Sequence, residues 1–269
     1  MWLRLVQMDS LKHRFDRDGF VGPVDILSND EVQRVRAAVT SVIDNLDQHR
    51  QQLYEVEQSF TDRPGEVVCH FLGGFRVNTV LADLIHHKRI TKLSAELLGV
   101  SRLRFWHDQV FAKPPEHPGV VPWHQDYSYW TRTHPACHIT CNLLLDDSDE
   151  DSGCMQFVPG SHRWPLLPQL PFDAPLEAIR DHLPAGADFK PVSLPVRAGQ
   201  ATFHHSHTLH GSDQNRSTRW RRAVVCNYMG ADVRVKDGSS PLLRGVPLLA
   251  AGEIITGEDF PVVFESSGS

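Results

Sequence analysis

The sequence predicts a mainly β domain, a sandwich or barrel, with helices packed outside it. Three observations lead there. Two stretches before Gly99 repeat their apolar residues at helical spacing. After Gly99 the texture changes to short β-rich runs separated by Pro, Gly and Asp clusters. A chain of 269 residues, 41% hydrophobic and 22% charged, can build one sizeable core without being divided. The expected organisation is one domain over residues 1–269. A mostly helical flank runs to residue 99, and the β core over 100–269 carries an insertion at 165–190.

The elements follow in order. Ser28-Asn29-Asp30-Glu31 reads as a capping box, a Ser N-cap with Glu three residues on. Val32, Val35, Val39, Val42 and Ile43 continue it at helical spacing to about Leu46. A second helix is expected from Asn78 to Leu98, with Gly99 as its stop. Strands are expected at Leu103–Ala112, Cys137–Leu145, Cys154–Val158, Phe189–Val196, Ala201–His205, Ala223–Met229 and Pro261–Phe264. Leu166–Lys190 interrupts them, rich in Pro, Leu and Asp, with a short helix expected near Leu176–His182. Such an insertion is either a lid over a site or a passive surface excursion.

Composition narrows the function. A formal net charge of −6 argues against a protein that holds nucleic acid on a basic surface. No apolar run approaches the roughly 20 residues that cross a bilayer. Met1–Arg4 opens no long apolar segment of a secretion signal. Five cysteines, an odd number without a disulfide or zinc-ribbon spacing, read as reduced thiols in a cytoplasmic protein. A small-molecule substrate is the expected partner, with no nucleic acid and no membrane, and the oligomeric state stays open. Sixteen histidines make a metal site worth seeking.

His124-Gln125-Asp126 is the strongest motif. Residues i and i+2 of an extended segment point to one side, so an imidazole and a carboxylate arrive together. A second His would complete two His and one carboxylate, which occupy one face of iron(II) and leave the other open. Residues 202–212 offer His204, His205, His207 and His210. His210 stands at a strand end before Gly211-Ser212 and a polar turn, while His205 and His207 remain alternatives. The strand beyond that turn opens with Arg221 and Arg222. An Arg in an otherwise apolar strand reads as a buried receptor for a carboxylate, which its planar fork grips with two hydrogen bonds. Arg221 is expected to be that residue and Arg222 to face solvent; Arg219 and Arg222 are the alternatives.

In these blocks the chain resembles the phytanoyl-CoA dioxygenase family of iron(II)/2-oxoglutarate-dependent oxygenases. The resemblance rests on His124-Gln125-Asp126, on Ser152 through His162, and on His210-Gly211-Ser212 with Asn215, Ser217 and Arg221. Upstream it takes in Gln109 to Pro115 and the Asp18-Gly19-Phe20 opening. It implies a double-stranded β-helix, the cupin-like jelly roll, with helices flanking one sheet. It implies His124, Asp126 and His210 as iron ligands and Arg221 as the partner of the 2-oxoglutarate C5 carboxylate. Gln109 and Asn142 fall at further cosubstrate contacts. Tyr127, Tyr129 and Trp130, beside the triplet, are expected to line the substrate pocket. With O2, such an enzyme converts 2-oxoglutarate to succinate and CO2 and hydroxylates an unactivated C–H bond. Related halogenases lack the carboxylate, so Asp126 points to oxygenation. The alternatives are desaturation, cyclisation or endoperoxide-type oxidation in natural-product biosynthesis, and a non-catalytic jelly-roll binding module.

Overall fold

The protein is described from a computed structural model covering residues 11–266. The expectation about Met1–Arg4 falls outside those residues. In chain order the elements are β1 (Phe20–Asp25), α1 (Asn29–Asp44), α2 (Leu46–His49), β2 (Glu55–Val56), α3 (Gln58–Asp62) and β3 (Cys69–Leu72). Then come α4 (Thr79–Leu84), α5 (Lys88–Leu98), β4 (Arg102–Lys113), β5 (Val121–His124), β6 (Thr133–His134), β7 (His138–Leu144) and β8 (Met155–Phe157). The chain continues through β9 (Val192–Ser193), β10 (Gln200–His205), β11 (His210–Ser212), β12 (Arg221–Gly230), β13 (Arg234–Val235) and β14 (Val262–Glu265). The main sheet runs β1-β10-β7-β12-β4-β3-β2, with β14 also paired to β4; a second sheet runs β5-β11-β8-β9. Every ladder is antiparallel. The two sheets form the jelly roll.

The two faces of the main sheet have different chemistry. One face buries Val110, Ala112, Cys141, Leu143, Phe203, Val224 and Cys226 against Val35, Val39, Leu81, Ile90 and Leu97 of the helices. At about 1.5–3 kcal/mol for each fully buried large aliphatic side chain, this layer carries much of the stability. Alternate residues on the same strands point to the second sheet and are largely polar: His107, Gln109, Thr140, Asn142, Thr202, His204, Arg221 and Asn227, with Phe111 and Val225 among them. A polar row inside strands buried on both faces is expensive unless it is satisfied, and so it marks a site.

Several expectations need correction. The flank before residue 100, expected to be mostly helical, also supplies β1, β2 and β3 to the main sheet. β1 contains Gly22-Pro23 and lies at the edge, where a missing ladder N–H is tolerated. The helix expected from Asn78 to Leu98 is two helices, broken between Leu84 and Lys88. Ile85 and Ile90, five residues apart, would diverge on one continuous helix, yet both are buried in the same core. The Tyr228 hydroxyl donates to the Ile85 carbonyl at the break, 3.1 Å away. The strand expected at Phe189–Val196 shrinks to β9, flanked by Pro191 and Pro195, plus a single bridge from Val196 to Ser148. His210 does not end β10; the chain turns after His205, and His210 opens β11 in the other sheet. The capping box of α1 is present as read. No described helix is long and apolar enough to cross a membrane.

Candidate metal centre and cosubstrate site

His124 and His210 are direct cross-strand partners of β5 and β11, and their rings lie 4.2 Å apart. β5 is an edge strand, so Pro122 costs no inner ladder bond. After His124, Gln125 is still extended, and Asp126 opens a 3-10 turn. The carboxylate therefore returns to the side of His124. Ligand atoms of His124, Asp126 and His210 all lie within 4.8 Å of one another. Asp126 Oδ1 is 3.4 Å from His124 Nε2 and 3.6 Å from His210 Nε2. His124 Nδ1 donates to the Pro122 carbonyl at 2.8 Å, and His210 Nδ1 donates to that of Thr208 at 2.9 Å. With the proton fixed on Nδ1, each ring presents the Nε2 lone pair to the shared space.

The other carboxylate oxygen is held from behind. Asp126 Oδ2 accepts from Thr140 Oγ1 at 2.6 Å and from His204 Nε2 at 3.0 Å. Thr140 has one hydroxyl proton but a second oxygen neighbour in the Asn227 carboxamide at 2.9 Å. The network is satisfied when Thr140 donates to Asp126 and Asn227 turns its NH2 to Thr140. The Asn227 oxygen then accepts from His107 Nδ1, 3.2 Å away. Burial, reinforced by His124 and His204, holds His210 well below the usual imidazole pKa. Burial alone would raise the Asp126 pKa; His210 and the hydrogen bonds from its neighbours outweigh it and keep the carboxylate ionised. A neutral His210 and an anionic Asp126 are in the ligand states a divalent metal needs.

Next to this cluster a small cavity brings Gln109, Asn142, Met155 and Arg221 together with His124, Asp126 and His210. Arg221 is fully buried, yet its Nε and Nη2 have no hydrogen-bond partner. Burial pushes its pKa down to about 10, so it remains cationic at neutral pH. Asn142 Nδ2, in the same cavity, is also unpartnered. A buried cation with idle N–H groups costs several kcal/mol unless an anion meets it. The cavity thus fits a carboxylate reaching from the metal cluster to Arg221. Lys113, opposite Arg221 in the β4/β12 ladder, is likewise buried but donates to Ser212 Oγ at 2.8 Å and to the Asp213 carbonyl. Arg222 corrects its expectation. Instead of facing solvent it is partly buried, pairing with Asp146 at 2.8 Å and donating to Thr40 Oγ1 of α1 at 3.1 Å.

A larger cavity of about 550 Å³ opens over the same cluster and shares Gln109, Phe111, His124 and Asp126 with the small one. Tyr129 and Trp130 line it. Tyr127 does not. Its ring stacks on His207 at 4.9 Å, and its hydroxyl donates to the Thr133 carbonyl at 2.6 Å. The β4/β12 register shifts between Asn227 and Tyr228, making Trp106 the extra residue of a bulge that turns Trp106 and His107 to this cavity. Insertion residues Gln169–Asp173 form one wall, and Leu242 and Leu243 of the loop before β14 form another. The segment Ser152–His162 is largely scaffold: Ser161 Oγ accepts from Leu209 N at 2.8 Å and donates to the Val158 carbonyl. Gly153 has a positive φ of 70°, and a Cβ there would lie 2.2 Å from the Asp213 carbonyl. The sequence reading did not single out Thr140, Asn227 or His107, and it offered His204 only as one of four histidines in residues 202–212. Polar residues at alternate positions in apolar strands mark a polar face, but which of them meet is set by the ladder register.

Comparison with known proteins agrees with this geometry. The family model described as phytanoyl-CoA dioxygenase (PhyH) matches residues 15–223. A probable alpha-ketoglutarate-dependent hypophosphite dioxygenase of Stutzerimonas stutzeri is 29% identical over 164 residues, 56% of this chain and 53%, about half, of that protein. The peroxisomal phytanoyl-CoA dioxygenase of Rattus norvegicus is 25% identical over 243 residues, 84% of this chain and 70% of that protein. Among solved structures, the non-haem alpha-ketoglutarate-dependent epimerase SnoN from nogalamycin biosynthesis shares the fold. Its TM-score is 0.76 at 23% identity, covering 96% of this chain and 99% of that one.

Proposed function

The chain belongs to the phytanoyl-CoA dioxygenase family, and on that premise we propose that it is an iron(II)- and 2-oxoglutarate-dependent oxygenase of a small molecule. One catalytic domain hydroxylates an unactivated C–H bond and releases succinate and CO2. The observation that carries this reading is the pairing, in one cavity, of the His124, Asp126 and His210 cluster with the unpartnered guanidinium of Arg221. His124, Asp126 and His210 would hold iron(II) on one face. Arg221 would take the far carboxylate of 2-oxoglutarate, with Asn142 and Gln109 donating to the same molecule. Bound iron, 2-oxoglutarate and O2 supply the oxidising chemistry that no side chain here offers. The protein's own part is to fix the two Nε2 lone pairs, keep Asp126 ionised and exclude water from the Arg221 pair. Asp126 also fills the position a halide would need, which favours oxygenation over halogenation.

The larger cavity describes the substrate. Among its described lining residues there is no Lys or Arg, while Glu55 and Glu57 are present; Asp173 also lines it but is neutralised by its ion pair with Arg63. An acyl-CoA or another substrate with an anionic handle has no counter-charge there, so the substrate is neutral or cationic and of modest size. The non-haem alpha-ketoglutarate-dependent carbocyclase SnoK from nogalamycin biosynthesis, 25% identical with a TM-score of 0.73 over 94% of this chain and 95% of that one, supports a second reading, in which the same site ends in cyclisation or desaturation. A cytoplasmic location belongs to the proposal; the five free cysteines support it. The test is a substrate screen scored by succinate release and by product mass. Gain of one oxygen atom identifies hydroxylation, and loss of two hydrogens identifies desaturation or ring closure. Asp126→Ala should abolish substrate-dependent succinate; succinate formation that survives it would refute the assignment.

A further inference from the structure

The larger cavity contains a buried imidazole that the metal cluster does not use. His70, on β3, is 7% exposed. Its ring packs nearly parallel to Phe111 of β4, at 4.4 Å and 22°, and to Phe172 of the insertion, at 4.8 Å and 11°; the two Phe rings are themselves 6.3 Å apart. His70 Nε2 lies 2.8 Å from Gln109 Oε1. Gln109 lines both cavities, the open one and the one that contains Arg221.

Counting protons gives this contact a direction. A neutral imidazole carries one N–H. His70 Nδ1 is buried and has no partner. A proton there would leave an orphaned buried donor and would require Gln109 to turn its NH2 to Nε2. A proton on Nε2 leaves only a lone pair unmet, the less costly omission. So Nε2–H donates to Oε1, and the Gln109 NH2 is turned away from His70 toward the cavity shared with Arg221. Burial, opposed only in part by this hydrogen bond, lowers the His70 pKa to about 4, so the ring stays neutral near pH 7.

The insertion residue that covers His70 is itself tied to the metal strand. Gln125 Oε1 accepts from Leu167 N at 2.7 Å, and Gln125 Nε2 donates to the His207 carbonyl at 2.9 Å. Asp173 is ion-paired with Arg63. Phe172, between these anchors, is held against the His70 ring.

We propose that His70 is a positioning residue for the cosubstrate: packed against Phe111 and Phe172, it fixes the Gln109 carboxamide with its NH2 facing 2-oxoglutarate. The proposal rests on Gln109 contacting 2-oxoglutarate, and its test separates the two. The measurement is calorimetric titration of 2-oxoglutarate into protein loaded with Mn(II), so no turnover enters. His70→Phe keeps the stack and removes the hydrogen bond. It should weaken 2-oxoglutarate about tenfold and leave Mn(II) affinity unchanged. Gln109→Ala should weaken it at least as much, and adding His70→Phe to Gln109→Ala should cost nothing further. Phe172→Leu, which leaves the hydrogen bond in place, should weaken 2-oxoglutarate by a smaller factor. Weak binding by Gln109→Ala with wild-type binding by His70→Phe overturns the positioning role alone. Wild-type binding by Gln109→Ala overturns the underlying contact and the proposal with it. An effect of His70→Phe that persists in the Gln109→Ala background, or a parallel loss of Mn(II), overturns it as well.

Discussion

In the proposed site Asp126 would offer one carboxylate oxygen to a metal, because the other is already occupied twice, by Thr140 and His204. Thr140→Val keeps the volume and removes the hydroxyl donor. It should weaken Mn(II) binding about 10- to 100-fold, as loss of a hydrogen bond behind a ligand does, with the fold intact; calorimetry reads it directly. The grouping of His124 and Asp126 was legible in the sequence because their spacing puts two metal-binding groups on one side; His210, which the structure brings to them, was singled out from His205 and His207 by the family resemblance. Arg221 was legible because a lone guanidinium in an apolar strand needs a buried anion. Thr140, Asn227 and His107 were not, since a single polar residue in a strand becomes informative only when its neighbour across the ladder is known. Tyr127 failed for the opposite reason. It is adjacent in sequence to the ligands, but its hydroxyl is committed to Thr133, and its ring turns toward His207.

The break between α4 and α5 shows how elements are adjusted to the sheet they cover. Apolar periodicity alone predicts one helix there. Burial of both Ile85 and Ile90 on one sheet face requires two, and Tyr228 of β12 caps the Ile85 carbonyl at the junction. Tyr228→Phe leaves that carbonyl without its donor and should lower stability by about 1–3 kcal/mol, read as a shift in the urea midpoint at unchanged slope. The long strands were visible as β-rich runs, with ends off by a residue or two. β5 and β11, which carry the metal cluster, were not visible as strands because four and three residues hold too little pattern. Their role came from motif chemistry instead. Pro191 and Pro195 shortened the expected β9 for a reason already present in the chain, the loss of ladder donors.

Over the whole molecule, the polar interior that builds the site also sets its acid stability. Burial lowers His107 and His138 to about 3, and His70 and His205 to about 4. In the unfolded chain these rings titrate near 6.5. The sign follows: the unfolded state takes up more protons below that value. Stability is fully present above about pH 6.5 and is lost as pH falls toward 4 and then 3, by up to about 1.4 kcal/mol per pH unit for each ring. Denaturation midpoints of chelator-treated protein should fall steeply over that range; a flat profile from pH 7 to 4 would contradict the burial of these rings. The central claim is that one cavity holds iron(II) through His124, Asp126 and His210 and 2-oxoglutarate through Arg221. Its most direct test is anaerobic addition of 2-oxoglutarate to the iron(II)-loaded protein, followed by visible absorption. The wild type should develop the weak charge-transfer band of a chelated 2-oxo acid. Arg221→Met, still folded, should need at least about 30-fold more 2-oxoglutarate to reach it, as expected when one partner of a buried ion pair is removed. No band from folded, iron-loaded wild type, or an unchanged requirement in Arg221→Met, would contradict the account.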